Sequence, residues 1–215
     1  MTATTAPGVR FFSGALLAVM LGACAPTLHL PGEAINQPML AGNGVHTADG
    51  QMLPLKTWAP EKGAPKAVII ALHGFNDYSN FFAAPGTFLA TRGIASYAYD
   101  QRGFGAAPGH GLWPGIDALI ADLKTFAGLV RDRHPGTPIY LLGESMGAAV
   151  IMVATADGGV AGISGVILAA PAVWGRATMP WYQRGALWIG VHIMPWATLT
   201  GQGLKIKPSD NIEML

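Results

Sequence analysis

The residue whose setting most directly suggests covalent chemistry is Ser145, in PIYLLGESMGAAV (Pro138–Val150). A serine hydroxyl is a weak nucleophile until a base activates it, and it must also be exposed to its substrate. The flanks address exposure. An apolar run stops at Gly143, and small apolar residues resume after Gly147, so a strand gives way to a helix across Ser145. Gly-x-Ser-x-Gly at such a junction predicts a very sharp turn that lifts the hydroxyl clear of a sheet and strains the serine backbone. Gly143 and Gly147, two residues before and after, then come too close to neighbouring backbone to carry a Cβ. Met146 offers its N–H at a helix N-terminus, where the dipole favours a developing negative charge. A tight turn with an incidental serine would not need these flanks.

A second donor is expected from LHGFNDYSNFF (Leu72–Phe82). His73-Gly74 lets the chain turn, and the Phe75 N–H can then face the same oxyanion. One such donor contributes about 10²–10³ in rate. His73 lies upstream of the serine on this oxyanion side. Its expected role is to pin the loop by hydrogen bonds, not to act as base.

These groups need a scaffold. Met52–Trp58 alternates loosely and predicts an early antiparallel strand. Lys66–Leu72 (KAVIIAL) is short, apolar and β-branched, as in a strand buried on both faces. Asn80–Arg92 has helical spacing and stops at Gly93. Ile94–Tyr99 predicts a strand, Pro114–His134 an amphipathic helix, Ile139–Leu142 a strand, Met146–Ala156 a small-residue helix and Val166–Ala170 a strand. Strand and helix thus alternate from 66 to 173, which implies α/β architecture: a mostly parallel sheet with helices on both faces. Chemistry in such sheets sits at the carboxyl ends of strands. His73-Gly74-Phe75, Asp100-Gln101-Arg102-Gly103 and Gly143-Glu144-Ser145 all fall there.

On these motifs residues 46–175 resemble the α/β-hydrolase fold, and more narrowly its monoacylglycerol lipase and lysophospholipase group, classed with serine aminopeptidases. HGFNDYS resembles the oxyanion segment, YDQRGFG the Asp-x-Arg-Gly-x-Gly turn and GESMGAA the nucleophile elbow. Ala148 departs mildly, standing where members often have a third glycine. The resemblance implies Ser145 as nucleophile, the N–H groups of Phe75 and Met146 as oxyanion donors, and Asp100 and Arg102 as structural. It implies no cofactor and no metal. The chain order in this fold is Ser, then Asp or Glu, then His. After Ser145 come Asp157, Asp210, Glu213 and one histidine, His192. Asp157 lies about twelve helical residues from Ser145, roughly 16–18 Å away toward the other end of the sheet. Asp210 with His192 has the wrong order. His192 is expected to be a cap histidine. The family places its acid and histidine on later strands, so the expectation is a fold incomplete at its C-terminus. The alternative is a natural short form that has lost catalysis.

The expected organisation is a signal segment at 1–24, a tether at 25–45, a hydrolase core at 46–173 and the start of a helical cap at 174–215. Arg10 precedes an apolar run of about a dozen residues, too short to span a bilayer comfortably. It ends in Leu21-Gly22-Ala23-Cys24, which resembles a bacterial lipobox. Lipidation at Cys24 would anchor an exported protein to a membrane. An ordinary signal peptide or an uncleaved anchor is the alternative. With one cysteine, no intrachain disulfide forms. The segment 174–204 is crowded with Trp174, Trp181, Tyr182, Leu187, Trp188, Ile189, Ile193, Met194 and Trp196, which suits an acyl chain. Self-packing is the plainer reading of the same residues.

Only 12% of the chain is charged, its net charge is +1, and no basic stripe is visible, which argues against a nucleic-acid partner. Gly103-Phe104-Gly105 begins like a dinucleotide fingerprint, but Pro108 occupies the third glycine's place. The expected function is hydrolysis of carboxylic esters of lipids, lysophospholipids or monoacylglycerols, through an acyl-enzyme on Ser145. A peptidase or general esterase on the same fold remains open, as does a non-catalytic, membrane-anchored binding protein.

Overall fold

A computed structural model describes residues 28–173 and 175–193. Those before 174 form one compact unit and those from 175 belong to a second. The first unit is built on seven strands: β1 Met39–Ala41, β2 Gly44–His46, β3 Met52–Trp58, β4 Ala67–Leu72, β5 Ile94–Tyr99, β6 Ile139–Glu144 and β7 Gly165–Ala169. Its helices are α1 Ala83–Thr91, α2 Ile116–Arg133 and α3 Met146–Ala156, with a 3-10 turn at Ser79–Phe82 before α1. The second unit contributes α4, Trp181–Ile193.

The sheet order is β1-β2-β3-β5-β4-β6-β7. β3 pairs antiparallel with β5, while β5, β4, β6 and β7 run parallel. The open, mostly parallel sheet expected from the alternation is therefore present. Parallel strands need crossovers that cover both faces, and the β4 sequence reflects this: Val68 to Leu72 are all buried. The strand period of two divides them. Val68, Ile70 and Leu72 join Leu119, Leu123 and Phe126 of α2 and Val150 and Ile151 of α3. Ile69 and Ala71 join Phe82, with Leu89 of α1 packed alongside. So α2 and α3 cover one face and α1 the other.

β4 is flanked by β5 on one side and β6 on the other. The chains leaving β4 and β6 turn to opposite faces, which makes their carboxyl ends the switch point of the sheet, the place where open α/β sheets bind ligands.

Two stretches differ from the sequence expectation. Asn80–Arg92 is not one helix. Pro85 has no N–H to give and its ring would clash inside a helix, so it must sit in a first turn. The α-helix accordingly begins at Ala83, after the 3-10 turn. The described part of the expected tether is also not free. β1 and β2 pair with each other and extend the sheet through β3, and Val45 is fully buried. Leu28 bridges to Trp113, and the His29 N–H donates to its carbonyl. Three-residue strands leave too short a period to be read from sequence.

Phe126 of α2 is wholly buried, edge-on to Tyr99 at 5.0 Å and Tyr97 at 6.4 Å. Phe126→Ala should therefore lower stability by about 3–5 kcal/mol, read from the urea unfolding midpoint.

Candidate active site

Ser145 joins β6 to α3 with φ 49° and ψ −110°. That left-handed conformation costs a non-glycine residue on the order of 1–3 kcal/mol and persists only where surroundings enforce it. Here they do. The Ser145 N–H donates to the Ala169 carbonyl at the end of β7 (3.0 Å), and the Ser145 carbonyl accepts from the N–H groups of Ala149 (3.1 Å) and Ala172 (3.0 Å). A Cβ at Gly143 would lie 2.5 Å from the Ala148 Cα and N, and one at Gly147 would collide with the Leu72 and His73 carbonyl oxygens. Helix α3 thus starts directly against the β4 backbone. Ser145 itself stays partly exposed. Asn76, Ser145 and Ala170 are the described non-glycine residues with positive φ, and they follow β4, β6 and β7 at one end of the sheet.

The loop after β4 meets this elbow. Leu72 pairs with Gly143, so the residues that follow each are neighbours. A Cβ on Gly74 would lie 3.3 Å from the Ser145 Cβ. His73 is fully buried and has both ring nitrogens engaged. Nε2 accepts from the Gln101 N–H at 2.9 Å, so Nδ1 carries the proton and donates to the Gly74 carbonyl at 2.8 Å. Across a trans peptide the C=O and the next N–H point in opposite senses. Holding the Gly74 carbonyl therefore fixes the direction of the Phe75 N–H. Among the described residues that N–H makes no backbone hydrogen bond. Met146 opens α3, so its N–H is one of those a helix leaves without an internal acceptor. The Phe75 ring is exposed and rests edge-on against buried Phe104 at 5.4 Å.

Burial lowers the His73 pKa, only partly offset by its bond to Gly74 and by the carboxylates of Asp100 and Asp77. The ring is thus neutral and locked in one tautomer. A histidine with both nitrogens committed to backbone cannot take a proton from Ser145, in agreement with its expected pinning role.

The loop after β5 is tied to the same frame. The Gln101 side-chain amide donates to the His73 carbonyl at 2.8 Å. Asp100 accepts from the Ser79 and Ala106 N–H groups, each at 2.9 Å. Arg102, 2% exposed, grips two carboxylates: Asp122 on α2 at 2.9 Å and Asp49 at 2.6 Å. Burial opposes the Asp49 charge, but hydrogen bonds from Arg102, Thr47 and the Gly32 N–H outweigh it and hold its pKa at about 2. Sequence reasoning missed Asp49 and Asp122, and gave no role to Gln101 within the Asp100-Gln101-Arg102-Gly103 turn. Of the two missed acids only Asp122 left a signal, set within the apolar stripe of Leu119, Leu123 and Phe126.

The structure brings together Gly143, Ser145, Met146 and Gly147 with Phe75. Asp157 caps the far end of α3, paired with Lys124 at 3.3 Å. His192 lies on α4 in the second unit, stacked on Trp188 at 4.5 Å. Cys24, Trp174, Met194, Trp196, Asp210 and Glu213 lie outside the described residues. Among the described residues no His, Cys, Asp and Glu group is arranged to hold a metal, and no helix is long and apolar enough to cross a membrane.

The model of one protein family, described as serine aminopeptidase, S33, matches residues 63–215. Monoglyceride lipase of Rattus norvegicus is 31% identical over 127 residues, covering 59% of this chain and 41% of the relative. The Homo sapiens monoglyceride lipase is 30% identical over 130 residues, covering 58% and 43%. The chain thus spans about two-fifths of the length of these relatives. Among solved structures, a soluble variant of Saccharomyces cerevisiae monoglyceride lipase in complex with a substrate analog aligns with TM-score 0.54 at 23% identity, over 75% of this chain and 54% of that one. The Paleococcus ferrophilus monoacylglycerol lipase aligns with TM-score 0.51 at 18% identity, over 66% and 52%. At these identities the structural likeness speaks to fold alone.

Two outcomes follow from the geometry. Gly147→Ala, meeting rigid backbone carbonyls, should destabilise by at least about 1–3 kcal/mol in chemical denaturation. A histidine with a lowered folded pKa binds its proton more readily when unfolded, so its contribution to stability is lost as pH falls below about 6.5. His134 is lowered in the same direction, so the comparison with His73→Asn isolates His73. The wild type should lose stability more steeply than the variant between pH 7 and 5, by at most about 1.4 kcal/mol per pH unit.

Proposed function

Because this chain belongs to the serine aminopeptidase S33 family, with the α/β-hydrolase fold, we propose that it is a serine hydrolase of carboxylic esters acting on lipid substrates. The observation that carries the reading is the strained Ser145 elbow set against the Gly74–Phe75 loop at the sheet's switch point. In this mechanism the Ser145 Oγ attacks the acyl carbonyl carbon, and its proton passes to a histidine. The carbonyl oxygen becomes an oxyanion held by the Phe75 and Met146 N–H groups, aided by the α3 dipole. The alcohol leaves with that proton. Water then adds to the acyl-Ser145 ester and releases the acid. His73 is not the base, so the reading requires an imidazole from outside residues 28–173, following Ser145 in the chain as the fold's order dictates.

A lipid ester, monoacylglycerol or lysophospholipid, is supported by the names of the relatives and by the apolar character of α4, where Trp181, Tyr182, Trp188, Ile189 and Ile193 are exposed. Export and lipid anchoring at Cys24 would place the protein at a membrane surface. Peptidase or general esterase activity differs from this reading in the leaving group and not in the elbow. A non-catalytic, membrane-anchored binding protein is the second reading, favoured by the lack of a histidine in residues 146–173, which follow Ser145.

A fluorophosphonate probe with peptide mapping tests the proposal. The adduct should form on Ser145 and vanish in Ser145→Ala. Labelling should be slow where no free histidine stands beside Ser145, as within residues 28–173, where His73 is committed to backbone. Rapid stoichiometric labelling would place a histidine, His192 first, beside Ser145. An adduct at another residue, or none on Ser145 at any probe concentration, would overturn the assignment.

A further inference from the structure

The residue before the serine has no role in the mechanism above, yet it is placed where that mechanism is most sensitive. β6 alternates, and Tyr140, Leu142 and Glu144 fall on one face. Tyr140 and Leu142 pack into the cluster containing Phe82. Glu144 is therefore sent to the side on which the loop after β4 departs. The Glu144 carboxyl fills the space a side chain at Gly74 would need: a Cβ there would meet Oε2 and lie 3.2 Å from Cδ. The carboxyl therefore lies directly against the Gly74 backbone, while the Gly74 carbonyl is held by the His73 Nδ1–H at 2.8 Å.

Building on the hydrolase reading, we propose that Glu144 is a positioning residue for the oxyanion loop. Its side-chain oxygen receives the Gly74 N–H and, with His73 on the Gly74 carbonyl, clamps the backbone that aims the Phe75 N–H. The clamp links the two halves of the candidate site. Glu144 belongs to the elbow strand, Gly74 to the donor loop, and no other side chain described above joins Ser145's own strand to that loop. A glycine is needed at 74 because the carboxyl occupies its Cβ position. Misplacing one oxyanion donor by a fraction of an ångström weakens a bond whose full loss costs about 10²–10³ in rate.

The charged group facing Glu144 is Asp77, from the donor loop; β6 and α3 bring no other charge to bear on it among the described residues. Burial, and then repulsion from Asp77, raises the Glu144 pKa above the ordinary range. The clamp should therefore loosen on acidification at a pH above that of a free glutamate.

Two measurements on the full chain test this. In the first, the Gly74 amide proton shift is followed by NMR against pH. It should titrate with a midpoint above about 4.3, the ordinary glutamate value. The titration should vanish in Glu144→Gln and move to lower pH in Asp77→Asn. A Gly74 amide that does not titrate, or that titrates equally in Glu144→Gln, overturns the clamp. In the second, the phosphonylation rate of Ser145 is measured across probe concentrations. Glu144→Ala should lower the maximal rate roughly 10–100-fold without changing the half-saturating concentration. Glu144→Gln, which keeps an acceptor oxygen, should restore most of it. Equal loss in both variants, or a change confined to half-saturation, overturns the proposal. If Ser145 forms no adduct in any variant, the hydrolase reading fails while the Gly74 titration still decides the clamp.

Discussion

The closeness of backbone to backbone at the carboxyl ends of β4 and β6 is the constraint on which the site rests. Helix α3 begins so near the Leu72 and His73 carbonyls that position 147 has no room for a Cβ, and position 143 has none because α3 folds back over it. A chain leaving a strand in line with its axis would never need such contacts. They arise because strand and helix are joined through one residue, Ser145, bent into a conformation that a side chain resists. The cost of that bend is met by three backbone hydrogen bonds, two of them to the segment that follows β7 or to its last residue. The elbow is thus a property of three adjacent strands, β4, β6 and β7, and not of the five-residue motif alone.

Around this corner the loops are locked by polar groups that are almost wholly out of water. His73 and Gln101 exchange hydrogen bonds between the ends of β4 and β5. Asp100 collects two backbone N–H groups, and Arg102 gathers Asp49 and Asp122. Buried ions of this kind contribute little net stability, since desolvation cancels much of the attraction, but losing one partner strands the others at a high cost. Their effect is to make alternative loop arrangements expensive. For a site whose donors are backbone N–H groups, a fixed loop matters more than a few kcal/mol of total stability, because the alignment of each donor sets what it contributes.

The main elements were legible in the sequence because their physics is local. KAVIIAL is continuously apolar and β-branched, as a strand covered on both faces must be, and the stripe from Leu119 to Val130 keeps a helical period for about three turns. Met52–Trp58, Ile94–Tyr99 and Met146–Ala156 have in the structure the bounds their patterns gave. The elbow was legible because two glycines and a serine at fixed spacing express a steric need directly. Where local physics was weak, the reading failed. Gly44–His46 is too short for a period, and its strand exists only because β3 offers a pairing edge. Pro85 could have warned that a helix over 80–92 would divide.

By itself the sequence determined the α/β alternation, the sharp turn at Ser145 and the polar, glycine-bearing loops that end the strands. Each of these follows from the size, branching or missing side chain of residues near one another in the chain. Only the tertiary structure decided that β4 lies between β5 and β6, that Asp49, fifty-three positions before Arg102, closes an ion triad with Asp122, and that the Glu144 carboxyl takes the place of a side chain at Gly74. Those pairings depend on strand order and register, which are set by how apolar faces from distant segments are buried together. An acid within an apolar stripe, such as Asp122, can be noticed in sequence, but its partner becomes apparent only once the fold has brought the two together.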